Sequence, residues 1–239
     1  MTTSVFDIWV YLSARPLLWL TVTLIAYVIA DAIAEHFNRP AILNPVPMAA
    51  GALIIILSVS GTPFSTYFEG AQFIHFLLGP ATVALAVPLF QHIGPVRRNL
   101  LPMAGALVAG SLTAIMTAMG VAWALSLPLP VIISIAPKSV TTPIAMGIAE
   151  TLGGIPTLAA VLVILTGILG ATLVTPLLNL LRIKDYAARG FAVGIAAHGI
   201  GTARAFQVNE MAGAFAGIAM GLNGALTAFL LPLLLWLVL

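Results

Sequence analysis

The chain has 239 residues, 61% of them hydrophobic and 7% charged, with a formal net charge of +2 and no cysteine. A soluble domain is about 25% charged, so a water-facing surface is excluded. So are a disulfide framework, a thiolate metal site and a cysteine nucleophile, and the basic residues are too sparse for a nucleic-acid surface.

Long apolar runs without period-2 alternation describe an all-α polytopic membrane protein and not a membrane barrel. About eight membrane segments are expected, near residues 6–34, 42–60, 71–93, 100–126, 129–150, 157–181, 188–208 and 211–239. Brief connections join them into a single domain over 1–239. The first segment has no basic region before it and no small-residue cleavage site after a short apolar core, so it is expected to stay as a membrane segment. The second is short for a bilayer and opens at Asn44-Pro45, where Asn44 would line an internal cavity or simply open the helix.

Three later segments are interrupted. The third carries "LLGPATVALAVP", with Gly79 and Pro80 at its break; the fifth carries "APKSVTTP", between Pro137 and Pro143; the seventh carries "AAHGIGTARAF". Proline removes an amide donor and clashes one turn back, and in lipid such freed backbone is tolerated only inside protein or beside a cavity. The breaks therefore predict a polar interior site.

The fifth segment has the richest chemistry. Pro137 and Pro143 bracket Lys138, Ser139, Thr141 and Thr142. A half-helix capped by Thr142, with Pro143 at its first helical position, would aim unpartnered amides into the gap. With hydroxyls and the Lys138 charge beside them, these would bind a small organic anion. A plainer reading has a proline kink, threonines bonded to their own helix, and Lys138 snorkelling to the interface. The cost of an ionisable group inside a membrane segment favours the binding site. In the seventh segment Gly199 and Gly201 allow close approach, Thr202 adds a hydroxyl, and His198 could bond substrate or carry a proton. Arg204 would clamp a carboxylate or anchor at headgroups. Glu150 would line the cavity or face water. "GAFAGIAMG", with Gly213, Gly217 and Gly221, reads as a helix-packing stripe. There is no catalytic triad, phosphate loop or metal-ligand pattern, so neither an enzyme nor a cofactor is expected.

Charge placement adds a topological expectation. Arg97-Arg98 and the cluster Arg182–Arg189 should both face the cytoplasm, yet three crossings separate them. One intervening segment is therefore expected to be re-entrant, with the Pro137–Pro143 stretch the best candidate. An offset of 57 also lays "PATV" on "PKSV" and Gly110 on Gly167, the signature expected of internal repeats, a recurrent plan in secondary transporters.

"PKSVTTPIAMGIAETLGGIP" and "ARGFAVGIAAHGIGTARAFQ" closely resemble segments of the LrgB/CidB family of bacterial membrane proteins, as do "LNPVPMAAG" and "GPATVALAVPLF". The resemblance covers nearly the whole chain and is weakest in the first 35 residues. It implies a bacterial cytoplasmic (inner) membrane location and two readings of function. One is a holin- or antiholin-like component modulating murein hydrolase export and autolysis. The other, from plastid relatives and some bacterial ones, is alternating-access transport of 2-hydroxy or 2-oxo monocarboxylates of the glycolate, glycerate, pyruvate or lactate class. It also implies a separate small LrgA/CidA-type membrane subunit as partner. By analogy of transporter fold a homodimer is expected, and the coupling ion would be a proton or sodium.

Overall fold

A computed structural model describes residues 16–40, 43–77, 80, 83–84 and 86–238. The first part of the 6–34 segment and Gly79 lie outside the described residues; Pro80 is helical and exposed. All regular structure among the described residues is helical. The chain divides into two compact units, Met1–Ala84 and Leu85–Leu239.

Unit 1 holds α1 (Pro16–His36), α2 (Pro45–Ser60) and α3 (Phe64–Phe76). α1 packs on both of the others. Trp19 is fully buried and meets Tyr67 edge-on at 5.9 Å. A Cβ on Gly70 would overlap the Pro16 carbonyl, so glycine sets the α1–α3 approach. Beyond α1, Arg39 forms a fork with the Asp31 carboxylate, which holds its guanidinium pKa above the usual arginine value.

Unit 2 contains α4 (Ala86–Gln91), α5 (Ile93–Arg98), α6 (Leu100–Ala124), α7 (Leu129–Ile135), α8 (Thr142–Leu152), α9 (Pro156–Leu180), α10 (Tyr186–Val208) and α11 (Glu210–Val238). Two stretches double back as helical hairpins. In the first, α7 runs into the turn at 136–141 and α8 returns beside it. Ile133 and Ala136 pack with Ile148, and the Ile155 amide donates to Ser134 Oγ at 2.7 Å. In the second, α10 reverses on itself. Ala197 and His198 leave helical geometry, His198 at φ 39 and ψ −135, and Val193 and Ala205 from opposite arms share one apolar cluster. A Cβ on Gly201 would lie 3.3 Å from the Val193 carbonyl, a proximity that a straight helix forbids.

α11 lies along α10 in the most extensive helix contact of the unit. The approach is set by Gly190 and Gly194, whose Cβ atoms would overlap the carbonyls of Ala212 and Ala216. Of the packing stripe expected in α11 itself, Gly213 does seat against the Phe206 ring of α10, whereas Gly221 faces open space. The contact therefore uses small residues on both helices, Gly190 and Gly194 on α10 and Ala212, Gly213 and Ala216 on α11.

The chain is a multi-pass membrane protein. Four described helices, Pro16–His36, Leu100–Ala124, Pro156–Leu180 and Glu210–Leu237, are long and apolar enough to cross a bilayer. Large apolar side chains stand fully outward, Phe229 and Trp236 at 79% exposure. Such surfaces belong against lipid.

Candidate functional site

Proline placement explains why the first hairpin turns where it does. In a continuous helix the Ser139 carbonyl would accept from the amide of residue 143, which is a proline and has none. The 136–141 segment is instead held by tight turns, Lys138 N to Ile135 O and Val140 N to Pro137 O, each 3.1 Å. Thr141, not Thr142, occupies the N-cap position of α8, with φ −69 and ψ 151, and its side chain makes no capping bond. The expected cap thus shifts by one residue, because Pro143 takes the second helical position. Thr141 and Thr142 are half-buried and Pro143 is exposed.

The second turn is anchored through His198. Its ring is buried, and Nε2 lies 2.8 Å from the Val163 carbonyl of α9. A carbonyl can only accept, so Nε2 carries the proton. Gly167 makes the room: a Cβ there would lie 2.6 Å from His198 Cε1 and 2.8 Å from Nε2. Thr202 Oγ1 donates to the His198 carbonyl at 2.8 Å, closing the turn from its returning arm.

The two turns meet in the middle of the unit. Val163, fully buried, accepts from His198 and packs in one cluster with Val140 of the first turn. On the opposite flank stands Asn223 of α11, only 1% exposed. Its amide nitrogen donates to the carbonyls of Ser139 and Ile195, each at 3.2 Å, while its oxygen accepts from Ser111 Oγ of α6 at 2.6 Å. The sequence reasoning passed over Asn223. A lone amide in the middle of an apolar helix was the available signal.

A cleft of about 610 Å³ runs between α6 and the entering arm of α10. Its rim includes Asn99 and Asp185, and its deep end includes Lys138, Ser139, Ile195 and Ala196. Asn99 to Thr113 spans roughly 20 Å along α6 at 1.5 Å per residue. The wall is mostly alanine, methionine and phenylalanine. Lys138, half-buried, makes no ion pair among the described residues, so an ammonium group faces an apolar cleft with hydroxyl and backbone groups beside it.

Of the expected site residues, Lys138 and Ser139 line this cleft, and Thr141 and Thr142 follow on the same turn. His198 is turned toward α9 and Thr202 toward Met220 of α11, Gly201 packs on Val193 and Ala197 of the entering arm of α10, and Gly199 sits near Met220. Arg204 lines a separate narrow crevice with Arg189 and Tyr186, and one of its nitrogens donates to Gln207 Oε1 at 3.2 Å. Glu150 is exposed on α8. In unit 1, Asn44 is buried and caps α2, its side chain accepting from Val46 N at 3.0 Å.

The comparisons with known proteins agree with one another. The family model described as LrgB-like matches residues 23–237. The antiholin-like protein LrgB of Bacillus cereus (strain B4264) is 32% identical over 218 residues, covering 91% of this chain and 95% of that protein. The proteins YwbG and YxaC of Bacillus subtilis (strain 168) are each 33% identical, over 216 and 215 residues, covering 90% of this chain and 96% and 93% of theirs. No solved structure matches. With a family model spanning nearly all of it and relatives aligned over nine-tenths of its length, the chain belongs to the LrgB-like family.

Proposed function

We propose that the protein is a secondary transporter of small 2-hydroxy or 2-oxo monocarboxylates, working by alternating access in the bacterial cytoplasmic membrane. The observation that carries this reading is the position of Lys138, at the turn of a broken hairpin, on the deep end of an apolar cleft. A carboxylate there would meet the ammonium group and Ser139. The small alanine side chains of the wall leave room for acids of this class, which carry two (glycolate) to four (glycerate) heavy atoms beyond the carboxylate.

In this reading both hairpins are re-entrant and enter from opposite faces. α9, 25 residues or roughly 37 Å long, separates their bases, and their turns meet between. Two crossings, α6 and α9, then separate Arg97-Arg98 from Arg182–Arg189, placing both basic clusters in the cytoplasm. The cleft rim at Asn99 and Asp185 opens on that side. The spacing of the helices is consistent with an internal repeat in this scheme. α7 begins at Leu129 and α10 at Tyr186, an offset of 57, and the same offset lays Ser139 on Ala196 and relates Gly110, Gly167 and Gly224. Each of these three glycines abuts a hairpin residue: Ile195, His198 and Ile144 respectively. In this reading each hairpin counts as one of the about eight membrane segments expected.

The test is uptake of labelled pyruvate and glycolate into liposomes holding the purified protein, beside Lys138→Met. Saturable uptake is expected. A charged hydrogen bond contributes about 1.5–3 kcal/mol, so Lys138→Met should weaken apparent affinity by about 10- to 150-fold. Non-saturable leakage indifferent to the substitution would instead favour the second reading, an antiholin-like membrane component modulating murein hydrolase export. The Bacillus cereus relatives are named antiholin-like proteins, which supports that reading. It also motivates repeating the assay with a small LrgA-type subunit added.

A further inference from the structure

We infer that Asn223 is the positioning residue for both broken hairpins: its single amide group fixes the turn that carries Lys138 to the turn of α10. This rests on the transport reading for its functional consequence, but its geometric content stands apart. The breaks leave carbonyls without helical partners. The Ser139 carbonyl faces a proline four residues on, and the Ile195 carbonyl lies where the ladder of α10 is cut by the reversal at Ala197 and His198. In a dry interior each would be costly to leave unpaired. Asn223 supplies one hydrogen to each, at 3.2 Å.

Asparagine suits the position because a carboxamide has two N–H groups diverging from one nitrogen. No hydroxyl or carboxylate can bond two carbonyls in this way. Its oxygen is occupied by Ser111 Oγ at 2.6 Å, which orients the amide so that nitrogen, not oxygen, faces the turns. Three elements are thus tied to the middle of α11: α6 by the oxygen, and the two hairpin turns by the nitrogen. Ser139 and Ile195 are both cleft-lining, so the same bonds that satisfy the backbone set how Lys138 is presented to substrate. Any rocking of one hairpin against the other must break at least one of them, and Asn223 is where that break occurs.

The chain has no cysteine, which makes a direct test practical. Lys138→Cys is introduced alone and its modification rate by a small water-soluble maleimide is measured, with Glu210→Cys, exposed at the start of α11, as control. Asn223→Leu removes all three bonds while keeping the same branched arrangement of side-chain heavy atoms. Asn223→Asp keeps an acceptor for Ser111 and, protonated as a buried carboxyl is, retains at most one of the two donors. Ser111→Ala removes only the bond to α6. With one or both turns released, Asn223→Leu and Asn223→Asp should raise the Lys138→Cys rate about tenfold, as expected for loss of hydrogen bonds of ordinary strength. Ser111→Ala should change it by less than about threefold, and the control should not move. Equal effects of Ser111→Ala and Asn223→Asp, or no effect of either Asn223 variant, would overturn the proposal. Should Asn223→Leu fail to insert, the contrast between Asn223→Asp and Ser111→Ala still decides it. In pyruvate uptake with Lys138 intact, the Asn223 variants should raise apparent KM by about tenfold with Vmax changed less than about threefold. Absence of uptake by the unmodified protein would remove the transport reading while leaving the thiol measurement to judge Asn223.

Discussion

His198 shows how a residue can be read correctly as special and still be given the wrong neighbours. A histidine among glycines inside an apolar segment is legible as functional or structural, and the sequence reasoning leaned toward function. The structure spends its Nε2 proton on the Val163 carbonyl, a partner 35 residues away that no local pattern reveals. Its backbone lies at φ 39, a region costly for a side chain with a Cβ, so the bond and the Gly167 pocket must hold it there. Gly167→Ala should push the ring off Val163 and lower the thermal midpoint of the purified protein, at a cost of about 1–3 kcal/mol for the orphaned pair. Gly221→Ala, where a Cβ meets nothing, is the control and should leave the midpoint unchanged. An unshifted midpoint in Gly167→Ala would mean that the histidine does not need its seat. Lys138 was legible for the opposite reason: a charge bracketed by prolines advertises itself against an apolar background. Asn223 was not, because what makes it central is a meeting of three distant elements.

At the scale of elements, the breaks were legible and their geometry only in part. Proline and glycine mark where a helix must stop, but not whether the chain then continues forward or turns back. That choice is made by packing. Gly190 and Gly194 let α10 seat on α11 at carbonyl contact, and Gly201 lets the returning arm touch the first. A larger residue at Gly194 should therefore separate two helices and not merely strain one. Gly194→Val is expected to reduce the yield of monodisperse protein and lower its midpoint by several degrees, in line with about 1–3 kcal/mol for overpacking. Wild-type behaviour of that variant would contradict the seating. The hairpins themselves can be mapped by single cysteines in the cysteine-free chain. Cysteines at Gly153 and at Ser126, which flank the first hairpin, should label from the same face of sealed vesicles. Cysteines at Asp185 and Asn209, which flank the second, should label from the other. Labelling of Ser126→Cys and Gly153→Cys from opposite faces would make α7 and α8 a crossing instead of a hairpin.

For the whole molecule, composition alone established a helical membrane protein, because 7% charge cannot cover a water-facing surface. The outward apolar side chains and four long apolar helices agree with it. Trp123 and Trp236 stand exposed near the ends of α6 and α11 that lie away from the basic clusters, as expected of an aromatic belt at a membrane interface. The conformation has its cleft rimmed at the basic end and its deep end at the paired turns, which is the arrangement of an inward-open carrier in the proposed reading. The central claim is that a small carboxylate occupies that deep end and is held by Lys138. Ala196→Cys, exposed in the cleft beside it, gives the most direct measurement: its maleimide modification rate with and without saturating pyruvate or glycolate. The account predicts slowing by the carboxylate at equal ionic strength, and loss of that protection when Lys138→Met is added. A rate indifferent to both acids, or protection that survives the loss of Lys138, would contradict it.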